Sequence, residues 1–217
     1  MDIEIRRAGA DDRAALEDVM REAFWNRYAP GCVEHFLLHV MRKSPAFVPE
    51  LELVAARDGE VVGGSACMRA TVEGDDGRVR EVLSFGPVGV LPACQGAGAG
   101  AALIERTAED ARSLGFDAVL LCGDPAYYGR RGFVPAEGLR IRTSDDEYAA
   151  ALQVRELREG ALAGAAGRYV EDAAYDVDEA AAAAFDRAFP PKEKRAGTPS
   201  QLRFLELVSQ RRKASGW

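Results

Sequence analysis

Two short stretches hold the residues best suited to chemistry. One is Gln95-Gly96-Ala97-Gly98-Ala99-Gly100, directly before a helical run; the other is Tyr127-Tyr128 in YYGRRGF. Three glycines in six residues weaken a helix's first turn relative to alanine. Bare backbone there suits an anion, because the first N–H groups lack intrahelical acceptors and the dipole adds about half a positive charge. Glycine and alanine would let a pyrophosphate settle on the amides of Gly96 to Ala101. The alternative is a glycine-rich tight turn with close helix–sheet packing.

Three phosphate-binding patterns compete for these glycines. A Walker loop is excluded, since the chain contains no Gly-Lys-Ser/Thr. A dinucleotide pattern is formally met: Gly96 to Ala101 reads G-x-G-x-x-A, and Asp124 follows the next strand where a ribose-binding acid would stand. Against it, Leu91 to Gln95 separate the first glycine from its strand, and hairpins rather than helices join the upstream strands. The third pattern is Gln/Arg-x-x-Gly-x-Gly/Ala, present as Gln95 to Gly100. With its flanks GPVGVLP and YYGRRGF, the segment resembles the acetyl-CoA-binding motif of the GNAT (Gcn5-related N-acetyltransferase) superfamily. The wider phrase looks like the bacterial YhbS-like acetyltransferases within it. The resemblance covers the order of elements from Ile3 to about Tyr169.

That resemblance implies an α/β fold of the α+β type, a mixed central sheet flanked by helices. It implies direct transfer of an acetyl group from acetyl-CoA to a primary amine, the amine belonging to a small molecule or a peptide. The strand before the motif would be bulged, and Gly86-Pro87 suits a break in the ladder because proline cannot donate. By position, the Val88 N–H would face the thioester oxygen and stabilise the tetrahedral oxyanion. Val90 would pair with a pantetheine amide, while Gln95, Gly96, Ala97, Gly98, Ala99, Gly100 and Ala101 would hold the pyrophosphate. Val88 and Val90 equally read as ordinary β-core. Tyr128, four residues before Gly132, stands where the family commonly keeps a tyrosine that protonates the CoA thiolate. A phenol of pKa about 10 can do so only where the site disfavours a thiolate whose acid is near ~8.5. Tyr127 would be a wall of the site.

A general base is not assigned. Ser84 stands where several relatives carry a carboxylate, and serine cannot deprotonate an ammonium. Glu81 is seven residues from Val88, roughly 23 Å at about 3.3 Å per residue. Glu137, Asp124, a water chain or an amine arriving neutral remain open. Ser84 favours a second reading, a non-catalytic acyl-CoA-binding module with a protein partner; Tyr128 favours the enzyme. Dinucleotide binding is a third. His35 and His39 have i, i+4 spacing but no accompanying acid or cysteine cluster, so they read as helix-surface or acceptor-pocket residues rather than metal ligands. Trp25, Tyr28 and His35 could shape amine specificity. A homodimer is compatible with all of this.

The elements that must position these residues follow from periodicity. Asp2 to Arg7 alternates as a strand. Asp11 or Asp12 caps a helix to Phe24, with Leu16, Val19, Met20 and Phe24 inward. A second helix runs from about Val33 to Lys43. LELVAAR and VVGGSACMRATVE form a hairpin, and Arg78 to Val90 completes an antiparallel meander. A helix from about Ala97 to Leu114 ends at Gly115. AVLLC is a buried parallel strand, and ALQVREL is the last strand, paired with the one after Phe133. Beyond Tyr169 come an alanine-rich helix, a linker and a helix ending in RRK, read as a solvated end. The expected organisation is residues 1–169 as the acetyltransferase domain and 170–217 as a helical extension.

Composition sets the outer limits. The 217 residues are 47% hydrophobic and 29% charged with net charge −7, which argues against a nucleic-acid binder working by overall charge. The four cysteines are scattered without a C-x-x-C pair, as free thiols are. No apolar stretch resembles a signal or a membrane span. The expectation is a soluble, cytoplasmic protein.

Overall fold

The meander and the crossover meet at strand β4, and both are present in the computed structural model, which describes residues 3–214. In chain order the elements are β1 (Glu4–Arg7), α1 (Arg13–Phe24), α2 (Glu34–Met41), β2 (Leu53–Arg57), β3 (Glu60–Gly74), β4 (Val79–Val90), α3 (Ala99–Ser113) and β5 (Ala118–Cys122). There follow α4 (Pro125–Tyr128), β6 (Val134–Pro135), β7 (Ile141–Arg142), β8 (Glu147–Ala149), β9 (Leu152–Glu156), β10 (Gly167–Val170), α5 (Glu179–Asp186), α6 (Pro199–Ser209) and β11 (Arg211–Lys213). Asp2 lies outside the described residues. The chain divides into two compact units. One holds residues up to 67, 86–107 and 173–204; the other holds 68–85, 108–172 and the residues from 205.

In the first unit the strand order is β1-β2-β3-β4. Helix α1 buries Leu16, Val19, Met20 and Phe24, the face its periodicity predicts. Two glycines let it approach the strands. A Cβ on Gly64 would overlap Leu16, and one on Gly89 would lie 2.9 Å from Met20 Sδ and 3.0 Å from Ala23 Cβ. Leu53, Ala55, Val62, Val90, Cys94, Ala99 and Leu103 form a shared core, so the end of β4 and the start of α3 are anchored together. Asp12 departs from expectation. Its carboxylate makes no cap to α1; it accepts from the Gly9 N–H at 2.7 Å and pairs with Arg6. The nearby guanidinium is a stronger donor and holds the carboxyl down at about 2.

In the second unit the order is β3-β4-β5-β9-β6, with β10 antiparallel to β3 and parallel to β7. The β4–β5 ladder is parallel, as a strand–helix–strand crossover requires. Val72, Val82, Leu120, Val154, Ile141 and Tyr169 pack in its core. Two expectations are corrected. ALQVREL does form β9, but it is not the last strand, because β10 and β11 follow. RRK is not a helix end: it is β11, antiparallel to β8, with Arg212 paired to Glu137 and stacked 4.3 Å from the Tyr148 ring. A carboxylate from the turn at Ala136–Leu139 and the cross-strand Tyr148 face give Arg212 two partners that a solvated helix end would lack.

Candidate active site

Strand β4 ends with the Leu91 N–H bonded to the Val62 carbonyl at 2.9 Å, and a 3-10 turn over Pro92–Cys94 leads to Gln95 in extended backbone. Gly96 and Gly98 then take φ of +81° and +92°. Residues with a Cβ pay about 1–2 kcal/mol there, which accounts for both glycines. Nothing lies within 4 Å of a Cβ built on either, so helix–sheet packing is not the reason for them. Left-handed residues alternating with ordinary ones curl successive N–H groups into an anion-sized concavity. The helix starts at Ala99, two residues later than expected, and its first turn closes with Ala102 N–H on Gly98 O at 2.9 Å. Gln95 to Gly98 are exposed, Gly100 and Ala101 are half-buried, and Ala99 anchors the turn in the core. Gln95 turns back: its Nε2 donates to the Val90 carbonyl at 3.0 Å, tying the loop to the strand.

On β4 the Gly86–Pro87 peptide is cis, and the Gly86 carbonyl accepts from the Tyr175 hydroxyl at 2.9 Å. The parallel ladder consists of Leu83↔Val119 and Ser84↔Leu120, and among the described residues no pair follows Ser84. The side chain of half-buried Val88 packs on the same core as Val90. Core packing and a backbone role are therefore compatible at both valines.

Tyr128 closes α4 in the second unit. Asp124 caps that helix, accepting from the Ala126 N–H at 2.9 Å, and Pro125 occupies its first position. The Tyr128 ring is edge-on to Tyr127 at 5.0 Å and to Phe133 at 5.5 Å. It lies over Gly123, where a Cβ would overlap it, so that glycine sets the position of the ring. Tyr127 is exposed beneath the Arg131 guanidinium, 3.7 Å from its centroid.

Residues 49–135 match the acetyltransferase (GNAT) domain family. The uncharacterized N-acetyltransferase YhbS of Escherichia coli is 30% identical over 159 residues, 72% of this chain and 88% of that protein. The chain belongs to the GNAT family. A second E. coli relative, the uncharacterized N-acetyltransferase YjhQ, is 37% identical over 91 residues, 42% of this chain and about half, 49%, of that protein. The crystal structure of E. coli YhbS with CoA superposes with a TM-score of 0.72 at 26% identity, over 81% of this chain and 92% of that one. A Brucella melitensis GNAT acetyltransferase crystallised with acetyl-CoA gives 0.61 at 27%, over 81% and 99%.

Most acids weighed as the base of this GNAT protein are committed elsewhere. Asp124 caps α4, Glu137 pairs with Arg212, and Glu81 pairs with Arg69. The structure adds a group that sequence reading missed. Buried Ser84 hydrogen-bonds the Tyr169 hydroxyl, and that hydroxyl donates to Glu171 Oε1 at 3.2 Å. Burial of its surroundings raises the Glu171 carboxyl, opposed by the Tyr169 and Ser84 hydroxyls.

The predicted acceptor-side residues of the first unit engage the segment after Tyr175. His35 is fully buried, not on a surface. Its Nε2 is 3.2 Å from Asp186 Oδ1, its Nδ1 3.5 Å from Cys32 Sγ, and burial lowers its pKa. Arg21 shares Asp186 at 2.6 Å. His39 Nδ1 sits 3.1 Å from Glu17. Trp25 donates to the Glu193 carbonyl at 2.9 Å, and Tyr28 lies between Phe24 and Phe204. His35 packs against the Arg21–Asp186 ion pair and the Phe185 and Phe189 rings of its own unit, which explains its burial better than substrate contact does. Among the described residues no helix is long and apolar enough to cross a membrane.

Proposed function

We propose that this GNAT protein transfers an acetyl group from acetyl-CoA to a primary amine by direct attack. The observation that carries the reading is the pair of left-handed glycines, free of packing contacts, at the head of α3. The amides of Gly96, Ala97, Gly98, Ala99, Gly100 and Ala101 would bind the pyrophosphate. Gln95 would act by holding the loop to Val90 rather than by touching phosphate. With no ladder to β5 beyond Ser84 among the described residues, the later backbone of β4 is suited to pair with pantetheine, through Val90 and through the Val88 N–H on the thioester oxygen.

As the amine nitrogen bonds to the thioester carbon, the C–S bond breaks and Tyr128 gives its proton to the departing thiolate. The acceptor is a small-molecule or peptide amine, and the donor-binding residues and Tyr128 named here fall within the expected acetyltransferase domain of residues 1–169. Appearance of free CoA thiol from acetyl-CoA, assayed across polyamines, amino acids and aminoglycosides, tests the reading. Amine-dependent thiol release supports it. Tight acetyl-CoA binding without release for any amine would favour the acyl-CoA-binding module instead.

A further inference from the structure

We propose that Glu171 is the general base of this reaction, taking a proton from the incoming ammonium through bound water. The inference rests on the acetyltransferase reading and adds a residue to it. Three observations place Glu171 there. First, it is joined through Tyr169 to Ser84, and among the described residues Ser84 is the last of β4 paired to β5, so the carboxylate marks the point where the two strands part. Ser84 shares its strand with Val88 and precedes it by four residues, roughly 13 Å of extended chain. The bridging water and the amine would lie along β4 over that interval.

Second, the Glu171 side chain reaches solvent, where water and a substrate can meet it, while burial of its surroundings raises its carboxyl. Cys122, at the end of β5, shares this condition: it is exposed, yet desolvation and the Glu171 charge push its thiol up to about 12. Third, among the described residues the partners of Glu171 are the Tyr169 and Ser84 hydroxyls, and neither is a cation that would suppress its basicity. The contrast with Glu34 is instructive. That carboxyl is raised to about 7 by burial, but its Oε2 accepts from the Val33 N–H at 3.0 Å at the start of α2. Glu34 is occupied by backbone.

The proton balance closes. Glu171 removes one proton from the ammonium and returns it to solvent. The neutral amine attacks the thioester carbon. As the C–S bond breaks, Tyr128 protonates the thiolate, and the N–H proton lost from the tetrahedral species restores the Tyr128 phenol through water, giving amide and CoA thiol. The groups facing the carboxylate are Ser84 on β4, Tyr169 on β10 and Cys122 on β5, with the Arg211 charge of β11 felt at Cys122. Because only the ionised carboxylate accepts a proton, kcat should rise with pH through the Glu171 pKa and then level off.

The test is kcat against pH for the parent, Glu171→Gln and Tyr169→Phe. The acceptor is the amine giving fastest CoA release in the panel above, and absence of release with every amine would remove this assignment together with the transferase reading. Glu171→Gln is expected to be about 100-fold slower at neutral pH, with acetyl-CoA affinity unchanged. Its residual rate should keep climbing with pH as the free amine fraction grows. Tyr169→Phe removes a donor to the carboxylate and should move the ascending limb to higher pH. Kinetics of Glu171→Gln within threefold of the parent, with the same pH profile, would overturn the assignment while leaving the transferase intact. If Glu171→Gln does not fold, the direction of the Tyr169→Phe shift decides, and an unmoved limb overturns it. Absence of acetyl-CoA binding by the parent would remove both readings together.

Discussion

The glycine loop and the Ser84–Tyr169–Glu171 group are built in opposite ways. The loop is local and made of backbone: consecutive residues, two of them left-handed, set the direction of their own N–H groups. The hydroxyl–carboxylate group is assembled from side chains, with Ser84 and Tyr169 85 positions apart in sequence. A backbone site depends on which φ angles are allowed and little on side-chain identity. A side-chain site depends on single functional atoms and on the strands that bring them together. Substitutions in the loop should therefore change donor affinity and spare turnover at saturation. Substitutions in the side-chain machinery should do the reverse.

The largest expected effect tests the side-chain half. Tyr128→Phe should lower kcat by about 100-fold, the low end of what a positioned acid contributes, with acetyl-CoA affinity unchanged by calorimetry. A fall in affinity instead would mean that the ring builds the donor site. The backbone half is tested next. Gly98→Ala meets no steric obstacle but carries about 1–2 kcal/mol of left-handed strain, so affinity for acetyl-CoA should fall about tenfold. Its kcat at saturating donor should match the parent, and a drop there would break the contrast.

Gln95→Ala should weaken donor binding less, by roughly fivefold, since it removes one hydrogen bond worth about 1 kcal/mol net. The smallest effect on activity belongs to Glu34→Gln, which should leave the pH limb of kcat in place. Its signature is in stability. A carboxyl whose folded pKa is raised to about 7 binds more protons folded than unfolded between about pH 4.5 and 7, so stability falls as pH rises through that range. The variant should gain melting temperature over the parent at pH 8 and gain little at pH 5, as thermal denaturation would register.

Legibility in the sequence followed the same division. The glycines, the helix after them, the meander and the Tyr128 turn were readable because each is encoded within a few residues, by φ preference or by apolar period. The α1 face of Leu16, Val19, Met20 and Phe24 was readable for the same reason. β10 was not: four residues, Gly167–Val170, carry too few alternations to mark a strand, and pairing with β3 decides them. Missing that strand hid Glu171, which stands one residue past its end. The burial of His35 was hidden likewise, because its partner Asp186 comes from α5, far along the chain. One signal could have helped. An i, i+4 histidine pair in a helix with apolar neighbours asks for a distant acid, and the helix capped by Asp178 supplies it.

If the loop from Gln95 to Ala101 is an acetyl-CoA phosphate site set by left-handed glycines, replacing one of those glycines must weaken donor binding. Calorimetric titration of the parent and Gly98→Ala with acetyl-CoA, with NAD as comparator, tests it most directly. The expected result is one acetyl-CoA per chain, about tenfold weaker binding in Gly98→Ala, and no heat from NAD. Equal acetyl-CoA affinity in the two proteins, or a preference for NAD, would contradict it.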